Sequence, residues 1–129
     1  MNKLIELVDV FNNETIYKGS GNCVELKNGG REICFGTKDH QFIYKVWPNG
    51  CIIESKQECQ IVLSLRKNAQ TVGHVYSEYG RMDLKCKTVI YEVEENKIEV
   101  KYALVQGSED QFFHFKLYIE DEEDEYAIH

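Results

Sequence analysis

The sequence is short of proline, of basic charge, of long apolar runs and of paired metal-ligand motifs. One proline and nine glycines among 129 residues leave no stretch that reads as a flexible linker, so a single domain is expected. No segment approaches the roughly 20 apolar residues that a membrane helix needs. The opening MNKLIELVDVFNN is interrupted by Glu6 and Asp9, which breaks the continuous apolar region of a secretory signal. The five cysteines, Cys23, Cys34, Cys51, Cys59 and Cys86, are odd in number and scattered, whereas a secreted disulfide framework uses an even set. Thiols kept in a reducing compartment fit that pattern, and a cytoplasmic location is the expectation.

Basic charge is scarce for a reason local to one end. The formal net charge is −7, and Glu120, Asp121, Glu122, Glu123, Asp124 and Glu125 are six consecutive acids. Setting these six aside from the 22 acids leaves 16 against 15 basic residues, so the body is nearly neutral. A neutral body offers no electrostatic footprint for nucleic acid. The expected organisation is one domain over residues 1–120 followed by an acidic, frayed tail over 121–129. Such a tail is also a place where a protein partner with a basic surface would dock.

What the sequence does have is alternation. Turn signals recur at short intervals: NN at 12–13, GSG at 19–21, NGG at 28–30, TKD at 37–39 and PNG at 48–50. SKQE, RKN, YG, EEN and GSED continue the series to residue 110. Short strands at this spacing are the mark of an all-β sandwich or barrel. Within the segments apolar residues recur at every second position, as in Val24 and Leu26, Ile33 and Phe35, Phe42, Tyr44 and Val46, and Ile61, Leu63 and Leu65. One face is buried and the other wet, which is the habit of antiparallel sheets. Residues 1–13 stay ambiguous, because Leu4, Ile5, Val8 and Phe11 also fit one face of a helix.

The longest ribbon is YGRMDLKCKTVIYEVEENKIEVKYAL, Tyr79 to Leu104. Met82, Leu84 and Cys86 share one phase; Val89, Tyr91 and Val93 carry the apolar face in the other. A one-residue slip throws a buried face into water unless the strand absorbs an extra residue. A β-bulge or sharp bend is therefore predicted near Thr88–Ile90. Long strands, a bend and eight or more segments favour closure into an antiparallel barrel, which also removes exposed edges.

The ribbon SEYGRMDLKCKTVIYEVEENKIEVKYAL and the closing FFHFKLYIE, with the early IYKGSGNCVELKNGGREICFGT, resemble the YwiB-like family of small bacterial proteins, a domain of unknown function. The resemblance runs from about Glu14 to Glu120. It implies a calycin-like fold, an up-and-down β-barrel of lipocalin shape. The Gly-x-Trp signature of true lipocalins is missing, since the sole tryptophan, Trp47, precedes Pro48. Fatty-acid transport is accordingly not implied, and the family supplies no catalytic residues to carry over.

Chemistry is thinly signposted. His40, His74, His114 and His129 are far apart, with no Cys-x-x-Cys or His-x-His pair, so no metal or other cofactor is expected. Cys86 lies between Lys85 and Lys87, but on a strand those lysines point to the opposite face, and no catalytic residue is assigned. The candidate ligand-binding residues are His74, Tyr76, Arg81 and Lys85. A hairpin closing near Tyr79–Gly80 brings them together as a cationic and aromatic patch able to hold an anion or stack a ring. Ordinary cross-strand pairing on a wet face is the competing explanation. Small barrels either fill their interiors or leave room for one small ligand; with no polar anchoring pattern visible, a filled interior is the expectation. The functional expectation is a non-enzymatic module that binds a small apolar or aromatic molecule or a protein partner. The alternatives are an enzyme with a residue such as His74 or Arg81 at the barrel mouth, and nucleotide or nucleic-acid binding.

Overall fold

The structure is a computed structural model that describes residues 2–121. Ten strands follow one another: β1 (Asn2–Asp9), β2 (Glu14–Glu25), β3 (Arg31–Gly36), β4 (Gln41–Trp47), β5 (Gly50–Lys56), β6 (Gln60–Arg66), β7 (Gln70–Ser77), β8 (Gly80–Val93), β9 (Lys97–Gln106) and β10 (Glu109–Asp121). Each pairs antiparallel with its neighbour in the chain, and β1 also pairs with β10, so a single sheet closes on itself as an up-and-down ring. The only helical turn among the described residues is a 3-10 turn over Lys27–Gly29. No helix of the described residues is long and apolar enough to cross a membrane. The opening residues are a strand: Ile5 and Leu7 point inward and are almost fully buried. The last strand runs on to Asp121, which pairs with Lys3; residues 122–129, the rest of the expected acidic tail, lie outside the described residues.

The bulge falls where the phase slip predicts it. Thr88 pairs with Tyr102 while Ile90 pairs with Lys101, which leaves Val89 as the extra residue. Val89 is half exposed, so the inward face passes from Cys86 and Thr88 to Tyr91 without it. A second irregularity lies between β1 and β2, where Leu7 pairs with Tyr17 and Val8 with Thr15.

Two sequence expectations are corrected. Gly19–Gly21 is not a turn but the middle of β2. A Cβ on Gly21 would lie 2.5 Å from the Ile5 side chain and 2.9 Å from the Cys34 carbonyl, so glycine here admits a close approach of β1 and β3. Val24 is exposed, because β2 turns Gly21 and Cys23 toward the interior instead.

The two ends of the ring differ. At the base the connections 26–30, 48–49, 67–69 and 94–96 gather. Arg31 donates from both terminal guanidinium nitrogens to the carbonyls of Glu94 and Glu95, at 2.7 and 2.6 Å. Trp47 donates through Nε1 to the Lys27 carbonyl at 3.1 Å, over Gly30, where a Cβ would collide with the indole. Tyr91 reaches the Trp47 carbonyl from inside. Above this seal Ile5, Ile33, Val46, Ile98, Val100 and Leu117 fill the section, each at most 1% exposed.

Candidate functional site

The other end is open. Connections 10–13, 37–40, 57–59, 78–79 and 107–108 ring a mouth, and below it lies a cavity of about 340 Å³. Inward positions of the strands supply its walls: Phe42 and Tyr44 from β4, Ile53 from β5, Leu63 from β6, Leu84 from β8, and Phe113 and Phe115 from β10. The interior is thus filled at the base and empty at the mouth, against the expectation of filling throughout. Ring closure explains the difference. The space at each level depends on how many large side chains meet there.

Polar groups enter this wall at few points. His40, at the end of the turn before β4, packs its ring on Phe42 with centroids 4.0 Å apart. Its Nε2 lies 2.7 Å from Ser55 Oγ, and its Nδ1 lies 2.7 Å from the amide nitrogen of Gln57. An amide N–H only donates, so Nδ1 accepts from Gln57, Nε2 carries the ring proton and donates to Ser55, and the Ser55 hydroxyl proton is left to point elsewhere. Loss of solvent on burial holds the His40 pKa below its ordinary value, which keeps the ring neutral at neutral pH. Tyr44 and Tyr102 line the same space. Burial pushes both phenols up, the more so because each is close to other ionisable groups. They are therefore protonated at any physiological pH.

Asp9 completes the lining. It follows Ile5 and Leu7 at the next inward position of β1 and pairs with Phe115. Asn12 orients it, giving its backbone N–H to Oδ1 at 3.2 Å and its side-chain amide to Oδ2 at 2.7 Å.

The residues singled out in the sequence lie elsewhere. His74 and Tyr76 of β7 and Arg81 and Lys85 of β8 face outward, with Tyr76 opposite Arg81 and His74 opposite Asp83. The rings of His74 and Tyr76 are 6.1 Å apart. Asp83 organises this patch: its Oδ1 accepts from His74 Nδ1 at 2.8 Å and pairs with Arg81 Nε at 3.3 Å. The hydrogen bond from His74, helped by the Arg81 charge, draws the Asp83 pKa down. Lys85 sits two positions further along, opposite Val72. The hairpin assembles as expected, but on the outer wall and around a carboxylate that offsets its charge. His40, Ser55, Gln57 and Asp9 were not singled out by sequence. Their one signal is position, since each falls at or beside a turn at the same end of an up-and-down sheet. Among the described residues no group of His, Cys, Asp and Glu side chains has the makings of a metal site.

A closed up-and-down antiparallel ring with an apolar mouth defines the class of this protein. The fold is YwiB-like: it is similar to the crystal structure of ywiB protein from Bacillus subtilis, with a TM-score of 0.61 and 15% sequence identity over 93% of this chain and 88% of that one. At that identity the likeness is one of fold alone. No protein-family model and no curated protein matches the sequence.

Proposed function

We propose that this protein is a non-enzymatic, calycin-like binding barrel, related to the YwiB-like family, that holds one small apolar or aromatic molecule in its mouth and works in the cytoplasm. The observation that carries the reading is the cavity of about 340 Å³, walled by aliphatic and aromatic side chains and floored by a sealed base. Its size falls within the roughly 300–1,000 Å³ of small-molecule sites, and its make-up is theirs as well: apolar walls with a few placed polar groups. Ser55 and the protonated phenols of Tyr44 and Tyr102 are the groups available to orient a ligand. Buried thiols at Cys51 and Cys86 suit a reducing compartment.

Hydrolytic chemistry is disfavoured by the same geometry. A serine nucleophile needs an unprotonated ring nitrogen facing its hydroxyl, whereas the Gln57 amide fixes the His40 proton on the nitrogen that faces Ser55. Nucleic-acid binding lacks support from charge, since His74 and Arg81 both lean on Asp83.

The test is native mass spectrometry of the protein purified gently from its own host, beside a Leu84→Trp variant that fills the cavity. A co-purifying small molecule of defined mass, lost in the variant, is the expected result. Bare protein in both, together with failure of the wild-type protein to take up the neutral dye Nile red, would sink the reading.

A further inference from the structure

The cavity has a charge asymmetry that a purely apolar ligand would leave unused. Asp9 is the one acidic side chain among the lining residues, and no lysine or arginine joins it there. His40 is neutral at physiological pH for the reason given above. Among the described residues none forms an ion pair with Asp9. Lys101 shares the adjoining outer hollow with Asp9, but its ammonium lies over the rings of Phe11 and Phe112 at 5.4 and 5.9 Å. The two Asp9 oxygens accept from Asn12, which is neutral, so the carboxylate's hydrogen bonds are met while its charge has no cation beside it.

The wall beside it is aromatic. Phe115 is the strand partner of Asp9. Phe113 stacks on Tyr102 with centroids 5.4 Å apart, and Phe115 lies 6.4 Å from Tyr102 and 6.5 Å from Phe113. Ring faces attract organic cations through their quadrupoles, and an ammonium between a carboxylate and such rings is held by both. A carboxylate ligand, by contrast, would meet Asp9 with no cation to receive it.

Resting on the binding-barrel reading above, we infer that the occupant is an organic monocation: a protonated amine on an aromatic or aliphatic body, its ammonium set against Asp9 and the Tyr102, Phe113 and Phe115 rings. The body lies along Phe42, Ile53, Leu63 and Leu84, and a hydroxyl or carbonyl at its far side meets Ser55. Anionic amphiphiles such as fatty acids are rejected by the same carboxylate.

Three probes of one shape separate the terms: 2-naphthylmethylamine, 2-naphthalenemethanol and 2-naphthoate, each titrated by calorimetry into the full-length protein at neutral pH. The amine is expected to bind about tenfold tighter than the alcohol, as a cation answered by a carboxylate and ring faces should, with the naphthoate weakest. Asp9→Asn, which keeps the shape and the Asn12 contact to one oxygen, is expected to bring amine and alcohol within about twofold while leaving the alcohol unchanged. The wild-type comparison stands whether or not that variant folds. An alcohol that binds as well as or better than the amine overturns this inference and leaves the cavity reading intact. Failure of all three probes to bind overturns both.

Discussion

The Tyr91 hydroxyl lies 2.6 Å from the carbonyl oxygen of Trp47 and 2.8 Å from that of Gly50. Those two residues close the β4–β5 hairpin, so a phenol rising from β8 through the core ties down a turn on the far side of the base. The ring is 3% exposed and the hydroxyl has one proton to share between two acceptors. Tyr91→Phe keeps the packing and strands these carbonyls in a dry setting. The expected cost is about 1–2 kcal/mol in urea unfolding, with an unchanged m-value.

Alkaline pH should weaken the fold. Burial pushes the Cys51 thiol up to about 12 and raises the phenols of Tyr44, Tyr91 and Tyr102 above their ordinary values. In the unfolded chain these groups lose their protons near pH 9 for the thiol and near pH 10 for the phenols. Folded pKa values above the unfolded ones mean that stability is full below about pH 9 and declines as pH rises from there toward the folded values. Urea midpoints measured from pH 8 to pH 11 should fall steadily. Cys51→Ala should flatten the early part of that decline, and a midpoint independent of pH across the range would contradict the assignment.

The bulge supplies a test in which a residue of a central strand should be removable. Val89 is 45% exposed and has no cross-strand partner of its own. Val89→Ala should change stability by less than about 0.5 kcal/mol. Deleting Val89 leaves Thr88 opposite Tyr102, Ile90 opposite Lys101 and Tyr91 opposite Val100 in a regular ladder, with Tyr91 and Val93 still inward. A cooperative unfolding transition by circular dichroism should therefore remain; its loss would contradict Val89 as the inserted residue.

Gly21→Ala should cost about 2 kcal/mol or more, since its Cβ would lie against a side chain of β1 and a carbonyl of β3 at once. Gly80→Ala, where a Cβ meets nothing within 4 Å but φ is +120°, should cost about 1 kcal/mol through backbone strain alone. Reversal of that order in thermal melts would contradict the close packing of β2 between its neighbours.

Substitution of the outer patch should leave the mouth untouched. His74→Ala and Arg81→Ala act on side chains that share Asp83 on the outside of the wall, where screened pairs contribute little. Nile red uptake by either variant should match that of the unsubstituted protein, whereas His40→Phe, which removes the donor to Ser55, should alter it.

The strands and the ribbon's bend were legible because period-two alternation survives wherever one face is dry and the other wet. Met82, Leu84 and Cys86 followed by Tyr91 and Val93 required an inserted residue between them, although Val89 itself joined the wrong face by appearing apolar. Gly19–Gly21 misled because glycine marks a turn and a close approach alike. In β1 the signal blurred for a different reason: Leu4 and Val8 are apolar on the partly exposed face, which turned alternation into an apparent helical stripe and hid Asp9 as an inward residue. The cavity had no signature at all. Whether opposing walls touch is decided by how ten strands share a circumference, which no single strand's sequence records.

Of the ten strand ladders, nine join neighbours in the chain, and only the β1–β10 seam brings together distant stretches. Folding can therefore advance hairpin by hairpin with small loops to close, leaving one long-range event for the end. If the seam forms after the rate-limiting barrier, weakening contacts such as Ile5 with Ile119 or Leu7 with Leu117 should hasten unfolding while hardly slowing folding. The lifetime of the closed ring, rather than the speed of its making, then hangs on its two outermost strands.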